Sequence, residues 1–298
     1  MTTAGSPVQN DPVSASRPGD RAVISRLLPC AGQLAGWALV TCLASGLLLS
    51  SALPPAAVPA PLLVAAAISL SEPLQALAPG IARSRKQPLP TFNFASSGSL
   101  QRQIEKGAPV DVFVSAGEKQ MNRLEQQGLL LAGTRRVIAS NQLVLVVSAR
   151  SPLRRLSFAG LTSGTIRQVA IGDSTVPAGD YARQILAYYK LSEALKSKLV
   201  PLGTARAVAQ AVANGDVDAG IVYKSDAQNV ANLRITAVAP ERSHKPILYS
   251  AGVIRSSPQS LQGKAYLLAL TTPQALQSLR HYGLLPAPAT PVATGSTP

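Results

Sequence analysis

From Pro61 onward the chain alternates short apolar runs with longer segments whose apolar residues recur at helical spacing, and no other feature restricts the fold as tightly. Leu62–Ile68, Val110–Ala116, Asn141–Ser148, Arg167–Asp173, Val217–Tyr223 and Pro246–Ile254 read as strands, as does PTFNFA just before Ser96. Between them SLSEPLQALAPGIARS, SLQRQIEKG, EKQMNRLEQQG, AGDYARQILAYYKL, TARAVAQAVANG and PQALQSLRHYG read as helices, several ending at a glycine suited to a helix C-terminus. Strands separated by single helices build βαβ units, so the predicted class is α/β with mainly parallel sheets.

The N-terminal part has another character. Residues 1 to 20 are polar and rich in Ser, Pro and Gly, and are expected to lack fixed structure. Arg17, Arg21 and Arg26 then precede the uncharged stretch Leu34–Leu53. A basic segment before an apolar one is the pattern of an export signal, with Ser50 and Ala52 as the small residues before a cleavage point. A retained membrane anchor is the alternative, since the stretch is long enough to span a bilayer. Cleavage is preferred, because PPAAVPAP follows and suits the start of a mature chain. Either way the globular part is expected in the periplasm or another extracytoplasmic space. The proline-rich tail from Pro286 is expected to be disordered.

Composition removes several function classes. Net charge is +14, but the densest basic run, Arg83–Lys86, lies between two predicted elements and carries no interleaved aromatics. A basic surface is favoured over a nucleic-acid groove. The only cysteines, Cys30 and Cys42, precede the globular part, and the only histidines are His244 and His281. That excludes a Cys- or His-built metal site there. No cofactor is expected. An enzyme with a serine nucleophile would need one of the two histidines as base, and GDSTV around Ser174 lacks the second glycine of a nucleophile elbow. The chain is therefore read as a non-enzyme.

The chemistry-bearing positions sit where strands give way to helices. Ser69 occupies one such turn, Ser96, Ser97 and Ser99 a second, Ala178 and Gly179 behind Pro177 a third, and Thr204 and Ala205 a fourth. In an open α/β sheet ligands bind outside the carboxyl ends of the strands. Each helix start exposes unpaired N–H groups and a partial positive charge, so several together make an anion site without a charged ligand residue. Taken singly, each hydroxyl is more readily a helix cap than a ligand contact, and it is their combination that favours a site.

The segments AAAISLSEPL, FASSGSLQRQIEKGAPVDVFVSAGEKQMNRL, VAIGDSTVPAGDYARQIL, VANGDVDAGIVYKSDA and PERSHKP together resemble the periplasmic molybdate-binding proteins of ABC transporters, over roughly Leu62–Gly283. The resemblance implies a type II periplasmic binding protein fold: two Rossmann-like lobes joined by a two-strand hinge. Residues 61–140 with 246–285 would form lobe 1 and residues 141–245 lobe 2, after a signal and linker over 1–60 and before a tail over 286–298. It implies oxyanion contacts at Ser69 and Ser97 through hydroxyls, Ala178 and Ala205 through main-chain N–H groups, and Tyr223 through its phenol. Gly98 departs from the pattern, standing where the family often has a third hydroxyl. Molybdate or tungstate would be the ligand, with the metal held only as its oxyanion. A membrane permease and its ATPase would be the partners, and the receptor would act as a monomer without nucleic acid. Molybdate has no proton at neutral pH and only accepts hydrogen bonds, which suits donor-only surroundings. The same fold could serve sulfate, thiosulfate or an organic acid.

Overall fold

The computed structural model describes residues 60–288; the predicted signal, both cysteines and most of the predicted tail lie outside them. The elements in order are β1 (Leu63–Ala67), a single 3-10 turn (Ile68–Leu70), α1 (Ser71–Arg85), β2 (Thr91–Ala95), α2 (Ser97–Glu105), β3 (Val112–Ser115) and α3 (Glu118–Gln126). After these come β4 (Arg136–Ser140), β5 (Leu143–Ser148), β6 (Val169–Gly172), α4 (Pro177–Tyr188), α5 (Ser192–Leu195), β7 (Leu199–Leu202), α6 (Ala205–Asn214), β8 (Ala219–Tyr223) and α7 (Lys224–Asn229). β9 (Leu233–Val238), β10 (Leu248–Val253), α8 (Ser260–Leu270) and α9 (Pro273–His281) are the last strands and α-helices of the described residues.

Two five-stranded sheets result, ordered β2-β1-β3-β10-β4 and β7-β6-β8-β5-β9. Helices cover them, as the strand–helix alternation predicts. Each sheet is mainly parallel, four of its five strands running the same way, with one strand against them. β1 runs parallel to β2 and β3, and β6 parallel to β7 and β8, whereas β10 and β5 pair antiparallel with both neighbours. The reason lies in the connections. The chain passes from β4 to β5 and from β9 to β10 without an intervening α-helix, and β5 and β10 are the strands that then enter the other sheet. A helical crossover turns a strand back parallel; a direct crossing leaves it antiparallel.

The central strands are apolar on both faces. Val64–Ala66 of β1, Val112–Val114 of β3 and Leu143–Val147 of β5 are all buried, as expected for strands covered by helices on each side. Three of the elements without a clear signal in the sequence are weakly patterned. β7 is LVPL, with Pro201 tolerated because β7 is an edge strand. β9 is also an edge and has only half-buried and exposed positions, without strict alternation. α8 carries Gly263 in its body, where a Cβ would come within 3.1 Å of the Val253 side chain, so the glycine lets the helix settle on β10.

Candidate functional site

The ends of β1, β2, β6 and β7 all deliver a turn toward the seam between the two sheets. Ser69 lies in the 3-10 turn after β1, Ser97 opens α2, Pro177 opens α4 and Ala205 opens α6. Ser69, Ser97, Pro177, Ala205 and Tyr223 line one cavity of about 10 Å³, together with Ala116 at the end of β3. That is room for about one water. Among the described residues no lysine, arginine, aspartate or glutamate lines it. Ala178 is buried one residue inside the wall, at the second position of α4. Among the described residues no acceptor takes the N–H of Ser97, Ala178 or Ala205, the ordinary condition of a first helical turn.

Local sequence explains why these starts sit so close to the strand ends. Gly179 faces the Gly172 carbonyl, and a Cβ at Gly179 would overlap it, so the pair of glycines lets α4 begin directly over the end of β6. Thr204 caps α6, its Oγ1 accepting from Ala207 N–H at 3.0 Å. Ser96 caps α2, its Oγ accepting from Ser99 N–H at 3.3 Å. Of the three serines at this turn Ser96 is the cap, because Ser97 and Ser99 lie within the first turn of α2.

The hydroxyls have defined directions. Ser97 Oγ accepts from Ala116 N–H at 3.0 Å, so its own proton remains free. Ser69 Oγ lies 3.2 Å from Tyr249 Oη. Tyr223 Oη donates to the Ala116 carbonyl at 2.9 Å, so its single proton is engaged in this arrangement. Complete burial pushes the Tyr223 phenol well above its usual range, which keeps it protonated and a donor.

Contacts across the seam surround the cavity. Gly98 N–H donates to the Thr175 carbonyl at 2.9 Å, and Ser96 Oγ lies 2.9 Å from Thr175 Oγ1. Asp173 Oδ1 holds Thr175 in place, accepting from its N–H and its hydroxyl, both at 2.7 Å. Beyond the cavity Arg206 pairs with Glu72 at 2.7 Å and lies 3.9 Å from Asp226. Asp226 is fully buried with neither carboxylate oxygen hydrogen-bonded, and burial, opposed by Arg206, lifts its carboxyl to about 7. A larger groove of about 790 Å³ opens beside Pro177, lined by Lys119, Arg123, Asp180 and Lys245, with Lys119 and Asp180 paired at 3.1 Å across it.

Thr175, Glu72, Arg206, Asp226, Asn141 and Tyr249 were not singled out from the sequence. Glu72, Thr175, Arg206 and Asp226 sat within quoted segments, AAAISLSEPL, VAIGDSTVPAGDYARQIL, TARAVAQAVANG and VANGDVDAGIVYKSDA, but nothing local gave any of the six a role. His244 packs edge-on against Tyr181, ring centroids 5.9 Å apart, and does not line the serine cavity.

Comparison with known proteins places this architecture. Residues 62–285 match the family of bacterial extracellular solute-binding proteins. The molybdate-binding protein ModA of Haemophilus influenzae is 32% identical over 224 residues, covering 74% of this chain and 88% of that protein. Its Escherichia coli counterpart is 32% identical over 225 residues, covering 74% and 87%. Among solved structures, the periplasmic molybdate-binding protein of Azotobacter vinelandii superposes with a TM-score of 0.68 at 25% identity, covering 76% of this chain and 99% of that one. The sulfate-binding protein SubI of Mycobacterium tuberculosis shares the fold alone, at 17% identity and a TM-score of 0.63. Two mixed sheets joined by two crossings, with a match through nearly all the described residues, assign the chain: it belongs to the bacterial extracellular solute-binding proteins.

Proposed function

We propose that this chain is the extracytoplasmic receptor of an ABC importer and binds molybdate, and tungstate with it, between two lobes made of residues 61–140 with 246–285 and residues 141–245. Ser69 and Ser97 supply hydroxyl protons, Ala178 and Ala205 supply main-chain N–H groups, and Tyr223 supplies its phenol once it leaves the Ala116 carbonyl. The observation that carries this reading is the convergence of helix starts and free hydroxyl protons on one cavity without a charged side chain. A tetrahedral dianion that accepts at every oxygen is matched by donors alone. A protonated anion would gain from an acceptor in the wall. The similarity to molybdate-binding proteins supports the same ligand.

The chain acts as a monomeric carrier. It closes on the anion, docks on a membrane permease, and leaves ATP hydrolysis to the transporter's own ATPase. The serines are binding groups, since Ser97 Oγ meets a main-chain N–H and no base. Calorimetry of protein recovered from the cell envelope tests the reading. Molybdate and tungstate are expected to bind one per chain, with sulfate and phosphate far weaker. Tighter binding of sulfate would overturn the ligand assignment.

A further inference from the structure

We propose that Tyr249 and Asn141 are positioning residues for the anion, aiming the Ser69 hydroxyl proton into the cavity through a one-way chain of hydrogen bonds that starts at the backbone of the first inter-sheet crossing. This rests on the anion-receptor reading above and adds to it residues outside the cavity wall.

The direction of the chain follows from what each group can do. Gln142 N–H lies 2.9 Å from Asn141 Oδ1. A backbone N–H only donates, so that contact fixes which end of the Asn141 amide is oxygen. The Nδ2 end then faces Ser225 Oγ at 2.8 Å and Tyr249 Oη at 3.0 Å, and gives one hydrogen to each. Tyr249 Oη therefore accepts from Asn141; of the two serine hydroxyls beside it, Ser69 Oγ at 3.2 Å stands in hydrogen-bonding geometry and Ser225 Oγ does not, so the phenol proton goes to Ser69. Ser69 now accepts, and no protein acceptor among the described residues takes its proton. Ser69 lines the cavity, so the free proton has the anion as its partner. Asn141, Ser225, Tyr249 and Ser69 are all buried, which keeps water from scrambling the order and lets each bond polarise the next.

The placement of the two residues gives the chain a second meaning. Asn141 lies in the crossing between β4 and β5, and Tyr249 is the second residue of β10, just past the other crossing. Ser225 belongs to the β8 side and Ser69 to the β1 side. One amide in the connecting segment thus orients a ligand hydroxyl on one sheet while holding the helix start beside Tyr223 on the other. A purely structural account of Tyr249 rests on its ring, which packs against Tyr223 with centroids 5.7 Å apart, and a phenylalanine would serve that packing equally.

Tyr249→Phe isolates the hydroxyl. The test is a binding cycle with molybdate by calorimetry on wild type, Tyr249→Phe, Ser69→Ala and the double variant. Tyr249→Phe is expected to weaken binding roughly three- to tenfold, the scale of one hydrogen bond. In the double variant it should cost nothing beyond Ser69→Ala, because the tyrosine acts only through that serine. Effects that multiply, or a Tyr249→Phe protein that binds within twofold of wild type, would overturn the proposal. Wild type that takes up no molybdate in the same titration would overturn the receptor reading itself, and this inference with it.

Discussion

Gly98→Ala tests whether the seam contact seen here is the arrangement that holds the anion. A Cβ at Gly98 would stand 2.5 Å from the Thr175 carbonyl oxygen and 3.0 Å from Thr175 Cα. Both are backbone atoms, and Asp173 holds Thr175 by accepting from its backbone N–H and from its hydroxyl. Relief by a side-chain rotation is not available, so the two sides must separate. Within α2 the same substitution is harmless, since alanine improves helix propensity by roughly 0.5–1 kcal/mol over glycine. The cost therefore falls on closure and not on either sheet. Loss of the Gly98–Thr175 hydrogen bond is about 1 kcal/mol, and forced overpacking adds about 1–3 kcal/mol. A total of about 2–4 kcal/mol corresponds to roughly thirty- to several-hundredfold weaker binding. Calorimetry with molybdate measures the loss, and a thermal melt without ligand should be unchanged or slightly higher. Binding within threefold of wild type would refute the reasoning, and so would a lower melt with intact binding.

Ser97→Ala removes a proton donor to a charged ligand and should weaken molybdate binding by about 1.5–3 kcal/mol, a roughly tenfold to hundredfold loss by titration; unchanged affinity would remove Ser97 from the site. Ser96→Ala removes the α2 cap and should cost about 1 kcal/mol in a denaturant melt, with Ser99→Ala costing less; the reverse order would contradict the capping geometry. Asp226 gives a pH test. Burial raises its carboxyl from the ordinary 3.8 to about 7, so between those values the folded chain holds a proton that the unfolded chain has released. Its contribution to stability therefore falls as pH rises through that window. Asp226→Asn cannot titrate, so it should gain on wild type in melting temperature as pH rises from about 4 to about 7, and a difference constant with pH would refute the assignment.

Much of the layout was legible because its signals are local. An apolar run that ends in a hydroxyl or small residue, with a helical pattern behind it, marks a strand-to-helix turn without knowledge of the rest of the chain. Ser69, Ser97 and Ala205 were found that way, and Tyr223 through the family resemblance. All four line one cavity. What escaped depends on partners far apart in sequence. Tyr249 reaches Ser69 across 180 residues and Asn141 across 108, and Thr175 meets Ser96 across 79. No periodicity records such pairs. The antiparallel entry of β5 and β10 escaped for a related reason. Strand–helix alternation describes successive elements, whereas the direction of those strands is decided by how the chain crosses between sheets.

The separation between the charge of the chain and the neutrality of its cavity has a physical basis. The formal charge is +14, yet Arg206, beside Ala205, is tied to Glu72 and faces Asp226. A lysine or arginine pointing into so small a cavity would be a buried charge without a partner whenever the anion is absent, which is strongly destabilising. Hydroxyls and helix N–H groups avoid that cost, because they are neutral and can turn to water when the seam opens. They still favour an anion, since each helix start adds partial positive charge aimed at one point. The surplus positive charge elsewhere acts at longer range, drawing an anion toward the protein before any contact is made. Attraction and retention are thus assigned to different groups. A receptor that must surrender its ligand to a transporter needs that division, because donors that lose little on opening leave release under the control of the seam contacts at Gly98, Thr175 and Glu72.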